Sequence, residues 1–242
     1  MKALGFAARN GKEMLRDKLT LLFGIGFPLI LLLLLSLIQA NIPVELFEIA
    51  HLSPGIVVFG FSFISLFSAL VISKDRSGSF MLRLLTSPMS ARDFILGYTL
   101  PLIPMVIAQS AVCFAAAFCL GLEFSARVLL TMAVLLPAGF VFVALGLLCG
   151  SIFSDKQVGG ICGALLTNLS AWLSGTWFDL KLVGGAFEDI AMLLPFARAV
   201  EAGRAALSGD YGAIMPHLIW VIVWAAALYA AAVIVFTRKM RQ

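Results

Sequence analysis

The chain has 242 residues, of which 62% are hydrophobic and 12% charged, with a formal net charge of +4. Soluble domains run at about 45–50% apolar and about 25% charged, so a water-soluble enzyme is excluded. Disorder is excluded too, because it needs few large apolar residues and much charge. Apolar runs that are continuous rather than alternating exclude an outer-membrane barrel. An all-α polytopic membrane protein remains, with room for six or seven spans of ~20 residues.

Residues 1–19 mix Leu4, Phe6, Ala7, Met14 and Leu15 with Lys2, Arg9, Lys12, Arg16 and Lys18. This predicts a helix lying along the membrane surface with its cations toward anionic headgroups. Apolar runs then predict six transmembrane helices at about residues 20–38, 54–73, 94–120, 128–153, 158–177 and 216–236. Pro28, Pro101 and Pro104 fall within them, which neighbouring helices and hydroxyls make tolerable. With an inner N-terminus, 13 of the 17 Lys and Arg residues fall on the inner side. The outer segments hold only Arg127, Lys181, Arg198 and Arg204, and collect acids such as Glu45, Glu48 and Glu123. The positive-inside rule therefore places both termini in the cytoplasm and the chain in the cytoplasmic (inner) membrane. The basic balance is a topology signal, and no nucleic-acid partner is expected.

Two connectors stand out. After Lys74-Asp75-Arg76, Ser77 or Ser79 can cap a short helix over about 77–87, with Phe80, Met81, Leu84 and Leu85 on one stripe. Ser87-Pro88 stops it, and Ser90 caps a second helix that opens with Arg92-Asp93. On the outer side, two short apolar helices broken at Pro195 predict a re-entrant hairpin over about 184–209. Each is too short to span ~30 Å. Arg198 with Glu201, and Glu201 with Arg204, stand at i, i+3 and are expected to pair.

Gln109, Thr167, Asn168 and Ser170 are polar residues within spans. Two readings stand for them, interhelical packing or the lining of a substrate path. No charged residue lies deep in a span, which argues against ion coupling. Gly146–Gly150 and Gly159–Gly163 are G-x-x-x-G pairs expected to pack helices closely within the chain. Trp172, Trp177 and Trp220 read as interfacial anchors. His51 and His217 sit at outer helix ends, without evident partners. Cys113, Cys119, Cys149 and Cys162 show no metal-ligand spacing and read as small apolar residues. No metal site is expected.

The stretch SKDRSGSFMLRLLTSPMSARDFILG, after LSPGI, resembles the second span and coupling helix of ATP-binding-cassette (ABC) type-2 export permeases. The later stretch LSGTWFDLKLVGGAFEDIAMLLPFARAVEAGRAALSGD resembles the same family's fifth span and outer re-entrant helices. One departure is Gly78, one position earlier than the family's usual glycine. The resemblance implies a single transmembrane domain over 1–242, the membrane subunit of a multidrug exporter of the daunorubicin-resistance kind. It implies a hydrophobic or amphipathic cargo such as a drug, antibiotic or lipid. A second permease chain, homo- or heterodimeric, and two copies of an ABC ATPase subunit would complete the assembly, embedded in membrane lipid. The chain has no G-x-x-x-x-G-K-[ST] loop, so it cannot hydrolyse ATP alone; the resemblance implies a transporter subunit that is not itself an enzyme, with ATP and Mg bound by the partner. Coupling to that ATPase would use Phe80, Met81, Leu84 and Leu85 as anchors, with Asp75, Arg76 and Arg83 as rim charges. The alternatives are a polysaccharide or glycolipid permease of the same superfamily, or a secondary transporter, which would want midplane charges or inverted repeats.

Overall fold

A computed structural model describes residues 2–42, 47–78 and 90–240. Every regular element among the described residues is helical. Helix α1 is Lys2–Arg16. Asp17 then accepts the backbone N–H groups of Leu19 and Thr20 and starts α2, Lys18–Gln39. Its second turn, Leu22–Gly26, widens to π geometry just ahead of Pro28. Helix α3 is Ile49–Ser77. After the connector, Ser90 and Asp93 form a reciprocal capping box that opens α4, Ala91–Thr99. Pro101 separates α4 from α5, Leu102–Cys119. The expected third span is therefore two helices with a break, since proline cannot donate into the turn before it.

Helix α6 is Ala126–Ile152. Helix α7 covers 155–173, its central Gly159–Leu166 in π geometry. Three shorter helices follow, α8 (Leu180–Val183), α9 (Gly185–Leu193) and α10 (Pro195–Ser208). Gly209, at φ +87°, closes α10 in the left-handed conformation that only glycine takes cheaply. The last helix is α11, Tyr211–Met240.

Among the described residues, five helical stretches are long and apolar enough to cross a membrane: Lys18–Gln39, Ile49–Ser77, Arg92–Cys119 (α4 and α5 together), Ala126–Ile152 and Tyr211–Arg238. The expected span at 158–177 is helical as α7, which is at most about 28 Å long. Composition sets α7 apart from the five, because Lys156, Gln157 and Asn168 dilute its apolar character.

Helix α3 is the hub of the bundle. Of its most apolar window 83% is buried, against 22% for α2 and 17% for α11. Its main neighbour is α6, which in turn packs against α10 and α11. The α3–α6 seam is tight because Gly146 and Gly150 bring backbone against backbone. A Cβ on Gly150 would lie 2.6 Å from the carbonyl oxygen of Ala69, and one on Gly146 would collide with that of Ser65. The first G-x-x-x-G pair thus packs within the chain as expected. The second does not, since a Cβ on Gly159 would meet nothing within 4 Å and one on Gly163 would touch only the Leu66 side chain.

Candidate functional site

The residues flanking the 79–89 connector build a polar cluster at one end of the bundle. Asp75, in the last turn of α3, is 6% exposed. Its carboxylate accepts three hydrogen bonds from the Arg9 guanidinium, at 3.0, 3.2 and 3.2 Å. A fourth comes from the Tyr98 hydroxyl of α4 at 3.0 Å. A buried carboxylate is tolerated only when paired and hydrogen-bonded, and this one is both. Arg9 also reaches Glu13, one turn on, at 3.0 Å. Burial works against its charge, but the hydrogen bond and field of Asp75 outweigh that and hold the guanidinium above its ordinary pKa.

The same contact surface carries apolar and amide interactions. Asn10 Nδ2 donates to the Gly97 carbonyl at 3.1 Å. The Phe6 ring stands edge-on to Tyr98 at 4.9 Å and to Phe94 at 5.9 Å. Gly97 permits that approach, because a Cβ there would collide with the Phe6 ring. From α11, Phe236 packs on Phe94 at 5.7 Å and on Tyr98 at 6.4 Å.

Next to Asp75, Arg76 donates from Nη1 to the carbonyl oxygens of Gly150 at 2.7 Å and Phe153 at 3.4 Å. It thereby satisfies acceptors that the end of α6 leaves open. Ser73 Oγ donates to Asp155 at the start of α7, at 2.8 Å. The last turn of α3 is therefore fastened to α1, α4, α6 and α7. Asp75 and Arg76 were expected as rim charges for a docking partner. They point inward instead, because bond-seeking partners on the chain itself lie within reach. Phe80, Met81, Arg83, Leu84 and Leu85, and with them the helix expected over 77–87 beyond Gly78, lie outside the described residues.

The opposite end of the bundle holds the helical pair broken at Pro195. Arg204, on α10, donates to Glu201 at 2.8 Å, to the His51 carbonyl at 3.1 Å and to the Gly175 carbonyl at 2.8 Å. Burial lowers its pKa, with Glu201 acting the other way. The expected Glu201–Arg204 pair is present, but the Arg198–Glu201 pair is not. Arg198 reaches back to the Met192 carbonyl at 2.9 Å and to His217 Nδ1 at 3.3 Å, over the Trp220 ring. Helical side chains lean toward the N-terminus, which carries Arg198 away from Glu201. His217, expected to lack a partner, has one in Arg198. Trp220 and Trp224 both donate to the Leu193 carbonyl, at 2.9 and 3.1 Å, fixing the corner before Pro195 to α11. Two adjoining cavities of about 450 and 400 Å³ share His51, Glu201, Arg204 and His217 as lining. Nothing in the local sequence places His51 beside His217.

The polar residues read as packing or path are not brought together. Gln109 is fully buried on α5 and donates to the Val57 carbonyl of α3 at 3.3 Å. Thr167 and Ser170 are buried and bond to carbonyls of their own helix, Cys162 and Thr167 respectively. The first of these, spanning five residues, satisfies an acceptor within the widened π turn. Asn168 is exposed on the chain's outer face and donates to the Ala164 carbonyl at 2.9 Å. Among the described residues no group of three or more His, Cys, Asp or Glu side chains is placed to hold a metal.

In comparisons with known proteins, a family model described as ABC-2 type transporter matches residues 5–208. No curated protein matches the chain.

Proposed function

The chain belongs to the ABC-2 type transporter family, and on that premise we propose that it is the permease subunit of an ATP-driven exporter in the cytoplasmic membrane. A separate ABC ATPase, in two copies with ATP and Mg bound, supplies the energy, and a second permease chain completes the translocation path. The cargo is a hydrophobic or amphipathic compound, in keeping with the nearly charge-free span interiors.

One observation carries the reading. The cluster around Asp75 joins both ends of the 79–89 connector to the hub of the bundle, Asp75 from α3 and Tyr98 from α4, and adds α1 through Arg9. A push on the connector is therefore delivered to three helices at once. Such a push shifts an inward–outward equilibrium only if nucleotide binds the two states with different affinity. The topology agrees: Phe6 near the chain's start and Phe236 near its end both pack on Tyr98. Two ends on one side require an even number of crossings, which favours α7 as the sixth span, with α9 and α10 as a hairpin dipping into the outer leaflet.

Leu84→Asp tests the proposal. The permease should still insert, but its ATPase should fail to co-purify, or should hydrolyse ATP without transport; Phe80→Ala should act likewise and Arg83→Ala less, because apolar anchors carry docking energy and rim charges tune association. Wild-type co-purification and transport in Leu84→Asp would remove the assignment.

A further inference from the structure

Helix α1 has three faces at 3.6 residues per turn. Phe6, Ala7, Asn10 and Met14 form the buried face. Beside it, Ala8, Gly11 and Leu15 line a groove of about 510 Å³, closed by Ile25 of α2 and by Pro104 and Ala108 of α5. Leu100 and Pro101, at the junction of α4 and α5, line it as well, and a Cβ on Gly11 would lie 3.4 Å from that of Pro101. No charged or hydrogen-bonding side chain lines it. Ala8 belongs as well to a second depression, of about 610 Å³, on the third face, with Arg9, Lys12, Glu13 and Arg16. Arg9 bridges Glu13 and Asp75, leaving that group one negative charge in excess, which the two further cations on this face, Lys12 and Arg16, outweigh. The side chains of Lys12 and Arg16 form no hydrogen bond or ion pair among the described residues.

We propose that these two depressions together hold one anionic phospholipid, an acyl chain in the groove and the phosphate at Lys12 and Arg16. The groove offers an apolar concavity of ligand size, and it opens where the first turns of α2 and α5 leave the polar boundary. The two cations lie on the adjoining face of the same helix. An uncharged apolar compound would fill the groove and leave the cations unmatched. A zwitterionic lipid brings its own cation and gains less from them. Once seated, the lipid braces α1 beside the Arg9–Asp75 contact. None of this depends on the transport reading, and binding is measured on the full chain without an ATPase.

The test is native mass spectrometry of the purified full-length protein in neutral detergent, titrated with dioleoyl phosphatidylglycerol or dioleoyl phosphatidylcholine. One phosphatidylglycerol per chain should be retained, preferred about 25-fold over phosphatidylcholine, from about five-fold for each of two cations. Lys12→Gln with Arg16→Gln should abolish the preference. Ala108→Phe, at an exposed position that lines the groove, should weaken retention of either lipid about ten-fold. Glycerol phosphate in millimolar excess should not displace the lipid. Equal retention of the two lipids by the wild-type protein would overturn the proposal, and that comparison needs no variant. So would retention unchanged by Ala108→Phe, or displacement by glycerol phosphate, which would signify an anion site without an acyl groove.

Discussion

Replacing Asp75 by Ala removes the acceptor of four hydrogen bonds at the junction of α1, α3 and α4. Two costs follow. Tyr98 is 3% exposed, and its hydroxyl would be left without an acceptor at about 1–3 kcal/mol. The Arg9 side chain is 38% exposed and keeps Glu13, so water and that carboxylate recover much of its loss, and its share is about 1 kcal/mol. The total of about 2–4 kcal/mol corresponds to a fall in melting temperature of roughly 4–16 °C at this chain length. Cys113 and Cys162 are buried and free whereas Cys119 is exposed, so in a Cys119→Ser background a thiol-reactive fluorogenic dye reports the transition as the buried thiols open. Asp75→Asn retains an acceptor for Tyr98 and should fall by about half as much. Arg9→Ala combined with Asp75→Ala should cost less than the two singles added, because each removes the same contact. A melting temperature within 2 °C of wild type for Asp75→Ala, or strict additivity in the double variant, would refute the inference that this cluster holds the three helices together.

Three further outcomes are expected. Gly146→Leu should abolish accumulation of folded protein, because its Cβ meets the Ser65 backbone, whereas Gly159→Ala should accumulate normally in open space; immunoblotting of membranes distinguishes them. Arg204→Gln should lower the thermal midpoint more than Glu201→Ala, since the latter leaves the guanidinium its bonds to His51 and Gly175; the reverse order would mean that the ion pair, not the carbonyl contacts, fixes α10. A membrane-impermeant thiol reagent applied from outside should label a cysteine placed at Glu48 but not one at Ser90, and the opposite pattern would invert the topology.

The helices legible in the sequence are those announced by local chemistry. Long apolar runs gave α2, α3, α6 and α11 within about five residues, and Ser90 and Pro195 marked the start of α4 and the break between α9 and α10. Contacts between distant residues were not legible. Asp75 reads locally as part of an exposed cluster with Lys74 and Arg76, and only folding brings Arg9 and Tyr98 to it. The i, i+3 spacing of Arg198 and Glu201 allows a pair but does not choose it over a carbonyl and an imidazole on neighbouring helices. Gln109 and Asn168 look alike in sequence, yet one is sealed against α3 and the other faces outward, because burial depends on which side of a helix its neighbours occupy. Pro101 and Pro104 stood close enough to signal a break, but a continuous apolar run hid it.

The Arg9–Asp75 contact has a consequence for how the chain is made. The cation lies 66 positions ahead of its carboxylate, which at about 5–20 residues per second emerges roughly 3–13 s later. Until then α1 has neither Asp75 nor the Phe94–Tyr98 surface to rest on. An amphipathic helix with a cationic side is stable meanwhile at the lipid–water boundary. Helix α1 is thus fastened late relative to its own synthesis, once α4, beyond the connector, has been made. A bulky fusion at the N-terminus would act at that late step, leaving insertion of the spans intact while blocking closure of the junction around Asp75.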